Sequence, residues 1–473
     1  MTAPGRPAGE AFDVVVLGAG PGGEDVTSDL LRAGLSVALV EPELIGGECF
    51  NWACVPSKAM LRPGHALRSA RRVPGAREAV GDRSVDAASA LAHRDDTVLH
   101  HDDATVLADF ESAGAVFFRG RGQLAGPRSV VVETADGAIS LRARHAVVLA
   151  TGSAPVVPAI PGLAEAQPWT NREATSARRA PGRLVVIGSG ASGLELAQAW
   201  QSLGSTVTVL SRREVLLPEH EPYVGELVLQ GLRESGVDVR LGASATRVSR
   251  PRPGAAAELE LDDGTRLEAD EVLVATGKAP VSRRLGLGSV GIAEGGFLAA
   301  DDSMAVGGTD WLYAIGDVNG RALVTHQASY HARVAAAAIA ARSRGEQPTL
   351  LAEADAYAVP QVIFTDPEVA AVGLTRKTAG DRGLLARYVE TDLGAVLGAG
   401  LHAQGYTGRA SLLIDDDRDV LLGAAFVGQD VADLLHSATV AIVGRVPLRR
   451  LRHAVPSFPT ISEVWLDLLR LAG

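Results

Sequence analysis

Only two cysteines occur in the 473 residues, too few for a secreted disulfide scaffold. No apolar run approaches the roughly 18 to 20 residues that a bilayer crossing needs. The start MTAPGRPAGEA also lacks the apolar stretch of a secretory signal. These absences lead us to expect a cytoplasmic protein with no membrane partner, in a compartment that disfavours permanent disulfides. Long runs of one charge are missing too: 45 Lys+Arg stand against 56 Asp+Glu, a net charge of −11. That balance disfavours nucleic acid and anionic lipid as partners. What the chain does have is length and 47% hydrophobic residues, enough for a large core and about three domains.

The stretch FDVVVLGAGPGGEDV places an apolar strand, Phe12 to Leu17, before Gly18, Gly20 and Gly23 at the start of a helical segment. Glycines at this spacing permit a tight turn and close approach of backbone to a pyrophosphate, which the helix N-terminus attracts. A second strand, SVALVE, ends in Glu41, the acid expected about 20 residues on to hold ribose hydroxyls. The glycines alone are compatible with a simple tight turn; strands and acid together indicate a dinucleotide site.

The pattern returns in RLVVIGSGASGLELAQAW, with Gly188, Gly190 and Gly193 after the strand Leu184 to Ile187. The 23-residue step from Gly18 to Glu41, repeated from Gly188, lands on Ser211, followed by Arg212 and Arg213. A hydroxyl and two guanidiniums suit the 2′-phosphate of NADPH; the alternative is two solvated arginines after a strand. A further echo supports duplication. HAVVLATGSAP and EVLVATGKAP each put an apolar strand before a Thr-Gly turn, at Thr151-Gly152 and Thr276-Gly277.

Both thiols sit in GGECFNWACVPSKAML, with four residues between Cys49 and Cys54. A regular helix would separate such positions by about 7.5 Å along its axis, beyond the roughly 4.4 to 6.8 Å Cα span of a disulfide. Bridging them requires a distorted first turn, and Pro56 suits the start of the regular helix that follows. A thiol at that start should have a lowered pKa, because the helix dipole favours the thiolate. Metal binding is the poorer reading, since zinc needs about four ligands and no Cys/His cluster of suitable spacing supplies them. We expect no metal.

Taken together, these motifs resemble those of the flavoprotein disulfide reductases, the family of dihydrolipoamide dehydrogenase, glutathione reductase and mercuric reductase. GGECFNWACVPSK is similar to the family's redox-active GGxCxxxxCxPSK, which includes Gly47. WLYAIGDVNG resembles its second FAD motif, with Gly316 and with Asp317 at the ribitol position. VPQVIFTDPEVAAVGLT, Val359 to Thr375, resembles the start of its dimer-interface domain. The resemblance implies an α/β enzyme of two Rossmann-like dinucleotide-binding domains plus a C-terminal α+β dimerisation domain. FAD would be held by residues 1–163 and 286–350 and the nicotinamide cofactor by 164–285, with 351–473 forming a homodimer. It further implies that Cys54 lies beside the flavin and that Cys49 is the outer, interchange thiol. Lys58 would pair with Glu195 near flavin N5, and the backbone of His326, Gln327 and Ala328 would face the pyrimidine edge.

The family's C-terminal signature is HPTxSE, whose histidine serves as acid and base for the partner subunit's interchange thiol, steadied by the glutamate. Here the end reads HAVPSFPTISEVW, so Phe458 stands in the histidine's place while Glu463 keeps its own. A phenyl ring carries no proton. His453 is separated from that point by a segment containing Pro456, and His436 lies in an apolar helical segment, the mark of a core or interface residue. Loss of a positioned acid/base typically removes about 10² to 10⁴ in rate. A comparable phenylalanine occurs in the 2-ketopropyl-coenzyme M oxidoreductase/carboxylase branch, which also replaces the glutamate; this chain does not. The reading is therefore a cysteine relay from NADPH through FAD to a non-standard small-molecule acceptor: a quinone, a specialised disulfide or a thioether. An ordinary disulfide reductase with another proton carrier and a slow redox-sensing flavoprotein are the alternatives.

Overall fold

The computed structural model describes residues 10–473, which divide into two compact units. One comprises residues up to Pro56 with Asp95–Ala154 and Lys278–Asp355. The other comprises Ser57–Arg94, Pro155–Gly277 and Ala356–Gly473.

The first unit is built on a seven-stranded sheet. Its parallel part sets Val116–Arg119, Val37–Glu41, Glu10–Leu17 and Gly137–Leu149 side by side, with Leu312–Ala314 also parallel to the last of these. The antiparallel strands Ser129–Thr134 and Arg121–Leu124 extend it. Both faces are covered, so the strands read as near-continuous apolar runs instead of alternating ones. Val14 and Val16 pack with Val26 and Leu30 of the helix Pro21–Arg32 and with Ala335 and Ile339 of the helix Thr325–Ser343. Val15 and Leu17 point the other way, to Val130, Val132 and Leu287. Each such fully buried side chain contributes roughly 1.5–3 kcal/mol.

The second unit holds three sheets. A four-stranded parallel sheet runs in the order Asp238–Leu241, Thr206–Ser211, Arg183–Ile187, Glu271–Val274. The antiparallel strands Ala245–Ser249, Ala257–Leu261 and Arg266–Ala269 cover one of its faces through Val248, Leu259 and Leu261. PRPGAAA forms the connection between the first two, as its turn residues predict. The C-terminal sheet is antiparallel and five-stranded, in the order Pro360–Ile363, Glu368–Gly373, Val420–Gly428, Arg409–Asp415, Ala386–Asp392. Tyr223 pins the helix Pro222–Glu234 to that sheet, donating to the Ala425 carbonyl at 3.0 Å and lying 3.0 Å from Ser411 Oγ.

RSARRVPGAREAVGDRS, from Arg68, reads as a loop insertion, but its first residues complete the helix Cys54–Arg71 and Ala76–Val80 forms another. The Pro and Gly residues in this stretch mark the break between helices. Among the described residues no helix is long and apolar enough to cross a membrane.

Candidate functional site

The distortion expected between the cysteines takes the form of a break between two helices. Cys49 lies in Gly47–Trp52 and Cys54 is the first residue of Cys54–Arg71; Ala53 between them leaves helical geometry at φ −131, ψ −93. That break brings the sulfurs to one place. Thr325 Oγ1 lies 3.0 Å from Cys49 Sγ and 3.3 Å from Cys54 Sγ. The lowered pKa expected at this helix start does not extend to Cys49. A hydrogen bond with Cys54 and burial push its thiol up, and the Thr325 hydroxyl acts the other way. Trp52, between the cysteines, stacks on His101 at 5.8 Å and 19°. Leu99, His100 and His101 there all adopt left-handed φ, at 52°, 51° and 59°, a backbone that persists only where its surroundings hold it.

Two glycine turns are built alike. Gly18 (φ +104°) is so close to the Ala150 carbonyl that an added Cβ would meet its oxygen at 2.4 Å, and a Cβ on Gly188 (φ +121°) would likewise meet the Ala275 oxygen at 2.2 Å. The residues touched belong to the two Ala-Thr-Gly turns, which explains the echo in the sequence. Thr151 Oγ1 donates to the Val281 carbonyl at 2.7 Å, and Thr276 Oγ1 to that of Val156 at 2.9 Å. Gly152 and Gly277 accept the amides of those same two valines. In each turn the third glycine, Gly23 or Gly193, packs on the carbonyl of the first. The middle glycines face space: a Cβ on Gly20 would meet only Gly47 Cα, at 3.9 Å, and one on Gly190 nothing within 4 Å. Such a cradle fits a pyrophosphate.

Glu41 closes the first turn from the end of its strand, accepting the amides of Ala19 and Glu43 at 2.8 Å each. Burial raises its pKa despite those bonds. In the second turn the matching Ser211 is buried; Ser189 Oγ donates to its hydroxyl at 2.8 Å, and that hydroxyl donates to the Arg213 carbonyl at 3.0 Å. Arg212 and Arg213 are exposed. Asp317 follows Gly316 in the turn Gly316–Asn319 and accepts Ser153 Oγ at 2.5 Å, with Lys278 Nζ at 3.4 Å. His326 is exposed, while Gln327 and Ala328 are buried.

Lys58 and Glu195 meet as expected, Nζ to Oε2 at 2.5 Å, with the other carboxylate oxygen accepting the Phe364 amide at 2.8 Å. The Lys58 ammonium also lies 5.2 Å from the Phe364 ring centre. Phe458 is 71% exposed. Glu463, without its histidine, accepts the Gly398 amide at 3.2 Å. His453 is exposed, and so is His436, so of the two expectations for it, core or interface, only the interface remains; Val440 and Val443 on the same helix are exposed with it. No group of three His, Cys, Asp or Glu side chains among the described residues could hold a metal ion.

Thr325 escaped the motif reading because 276 residues separate it from Cys49. Its only signal was position, at the start of the helix that follows the second FAD motif.

The chain matches the family described as pyridine nucleotide-disulphide oxidoreductase over residues 12–341, and that family's dimerisation domain over 359–469. It belongs to this family of FAD- and pyridine-nucleotide-dependent enzymes. It is 32% identical to dihydrolipoyl dehydrogenase of Chlorobaculum tepidum over 457 residues, 96% of this chain and 95% of that one. With mercuric reductase of Acidithiobacillus ferrooxidans it shares 32% identity, across 96% of this chain and 81% of the other. The fold is that of the flavoprotein disulfide reductase RclA from Escherichia coli in its Cu(II) complex, with a TM-score of 0.84, 23% identity, and 98% and 100% of the two chains covered. The matched dimerisation domain supports a homodimer.

Proposed function

We propose that this protein is an NADPH-dependent flavoenzyme that passes electrons through Cys54 and Cys49 to a small-molecule acceptor other than an ordinary disulfide. Phe458 carries the reading: the position aligned with the family's acid/base holds a phenyl ring, 71% exposed, that has no proton to exchange.

In this reading residues 1–163 and 286–350 bind FAD. Gly18, Gly20, Gly23 and Gly47 admit its pyrophosphate, Glu41 its ribose and Asp317 its ribitol chain. Thr151, Gly152, Gly316 and the backbone of His326 to Ala328 line the rest. Residues 164–285 bind NADPH through Gly188, Gly190, Gly193, Thr276 and Gly277. Ser211, Arg212 and Arg213 take the 2′-phosphate, where an acid would repel it. Residues 351–473 make the dimer.

Bound FAD and NADPH supply the hydride relay; thiols and protons are the protein's part. Cys49 attacks the acceptor, and Cys54 then attacks Cys49, closing the disulfide as an electron pair leaves with the acceptor. The two thiol protons leave by way of Thr325, which faces both sulfurs, or through the acceptor itself. Glu463 keeps the place of the family's steadying glutamate without a histidine to steady, and its Oε2 accepts the Gly398 amide. The related mercuric reductase and the copper complex of RclA make metal ions worth including as acceptors. In this reading such an ion would be taken by the thiols of Cys49 and Cys54, which share one place in the structure.

Steady-state turnover with NADPH tests the reading. We expect slow reduction of lipoamide and of glutathione and mycothiol disulfides, on the order of 10²-fold or more below family rates, and recovery of part of that loss in Phe458→His. An ordinary disulfide reduced at a family rate contradicts it. Replacing Arg212 and Arg213 by Ala should raise the KM for NADPH and leave that for NADH unchanged; equal or better efficiency of the parent enzyme with NADH contradicts the cofactor assignment.

A further inference from the structure

His331, in the helix Thr325–Ser343, is completely buried. A buried imidazole is costly unless its nitrogens are paired, and both are. The Gly316 amide donates to Nδ1 at 3.2 Å, and Asn319 Nδ2 lies 3.3 Å from the same atom. Because an amide N–H can only donate, Nδ1 carries the lone pair and Nε2 the hydrogen. Nε2 faces Asp355 Oδ2 at 2.9 Å.

Asp355, 4% exposed, gathers more than the imidazole. It accepts Gln327 Nε2 at 2.6 Å from the same helix, and Arg321 Nε at 2.6 Å from the segment just after the Gly316–Asn319 turn. Burial disfavours its charge, but His331, Arg321 and Gln327 outweigh that and hold the carboxyl below its ordinary range. One carboxylate thus ties the helix whose first residue faces the cysteines to the end of the turn that carries Asp317. The imidazole ties down the start of that turn.

We propose that His331 is a positioning residue for FAD: as the Nε2–H tautomer, oriented by Asp355, it holds the Gly316 amide and so sets where the Asp317 carboxylate meets the flavin's ribitol. The inference rests on the reading of Asp317 as an FAD ligand. His331 touches no cofactor itself.

The two bonds can be cut separately. An asparagine places an amide oxygen near the site of Nδ1 and keeps an acceptor for Gly316, whereas a glutamine keeps an NH₂ donor toward Asp355 and leaves the Gly316 amide unpaired. FAD release from diluted holoenzyme, followed by the fluorescence of the freed cofactor, should be about tenfold faster in His331→Gln and within about threefold of the parent in His331→Asn. Equal acceleration in both variants, or release that simply tracks the thermal midpoint of each, overturns the clamp. Should His331→Gln not fold, His331→Asn decides alone: tenfold faster release from it contradicts the proposal. Asp317→Ala is the separate arm. If it retains FAD as the parent does, the assignment of Asp317 fails, whatever the His331 variants show.

Discussion

Thr325 Oγ1 sits between two sulfurs, and the Cys49 thiol is pushed up by its neighbour Cys54 and by burial while the Thr325 hydrogen bond pulls it down. Thr325→Val removes only the downward influence. The Cys49 pKa, already above its ordinary value, should rise further, so less thiolate is present at any pH below it. The alkylation rate of the reduced protein at pH 8 should fall by about three- to tenfold. An unchanged rate would mean that the hydroxyl serves packing alone. Residues of this kind were hidden from sequence reading for a physical reason. Cys49, Cys54 and Lys58 announce themselves through close spacing, but Thr325, Asp355 and His331 acquire meaning only when distant strands bring them together. Glu463 was legible as a position and not as a partner, since the Gly398 amide that satisfies it belongs to no motif.

At the scale of elements, the glycine turns and their flanking strands were readable almost to the residue. A strand with both faces covered, a tight turn and a helix N-terminus leave little choice of residue type. The strand expected at Phe12 to Leu17 begins at Glu10, and that expected at Leu184 to Ile187 begins at Arg183. The helix break at Ala53 was legible only as a need for irregularity, because apolar spacing does not reveal where a helix stops and restarts. Within the first glycine helix, Glu24 is an element-level liability. Burial, with the nearby charges of Asp25 and Glu41, pushes its carboxyl up to about 7 from 4.5. The folded chain therefore holds this proton more tightly than the unfolded one, and stability falls as pH rises between those two values. Glu24→Gln should raise the thermal midpoint at pH 8 and leave it near the parent's at pH 5. The difference corresponds to on the order of 2–3 kcal/mol. A parallel offset at both pH values would assign the effect to something other than this titration.

For the whole molecule, duplication explains the most. Two glycine turns, each braced by its own Ala-Thr-Gly turn, fit two dinucleotides, and a chain that carries both turns and a cysteine pair suits the electron-transfer chemistry of its family. The exposed apolar side chains Leu401, Val440, Val443, Val455 and Phe458 of the C-terminal region are what a chain carrying a dimerisation domain needs. The central claim is that Cys49 and Cys54 form an electron store in series with FAD, and anaerobic titration of the oxidised holoenzyme with NADPH measures it most directly. The account predicts uptake of two electron pairs per subunit and the appearance of two alkylatable thiols that Cys49→Ser and Cys54→Ser both abolish. Uptake of a single pair with no new thiol would contradict it.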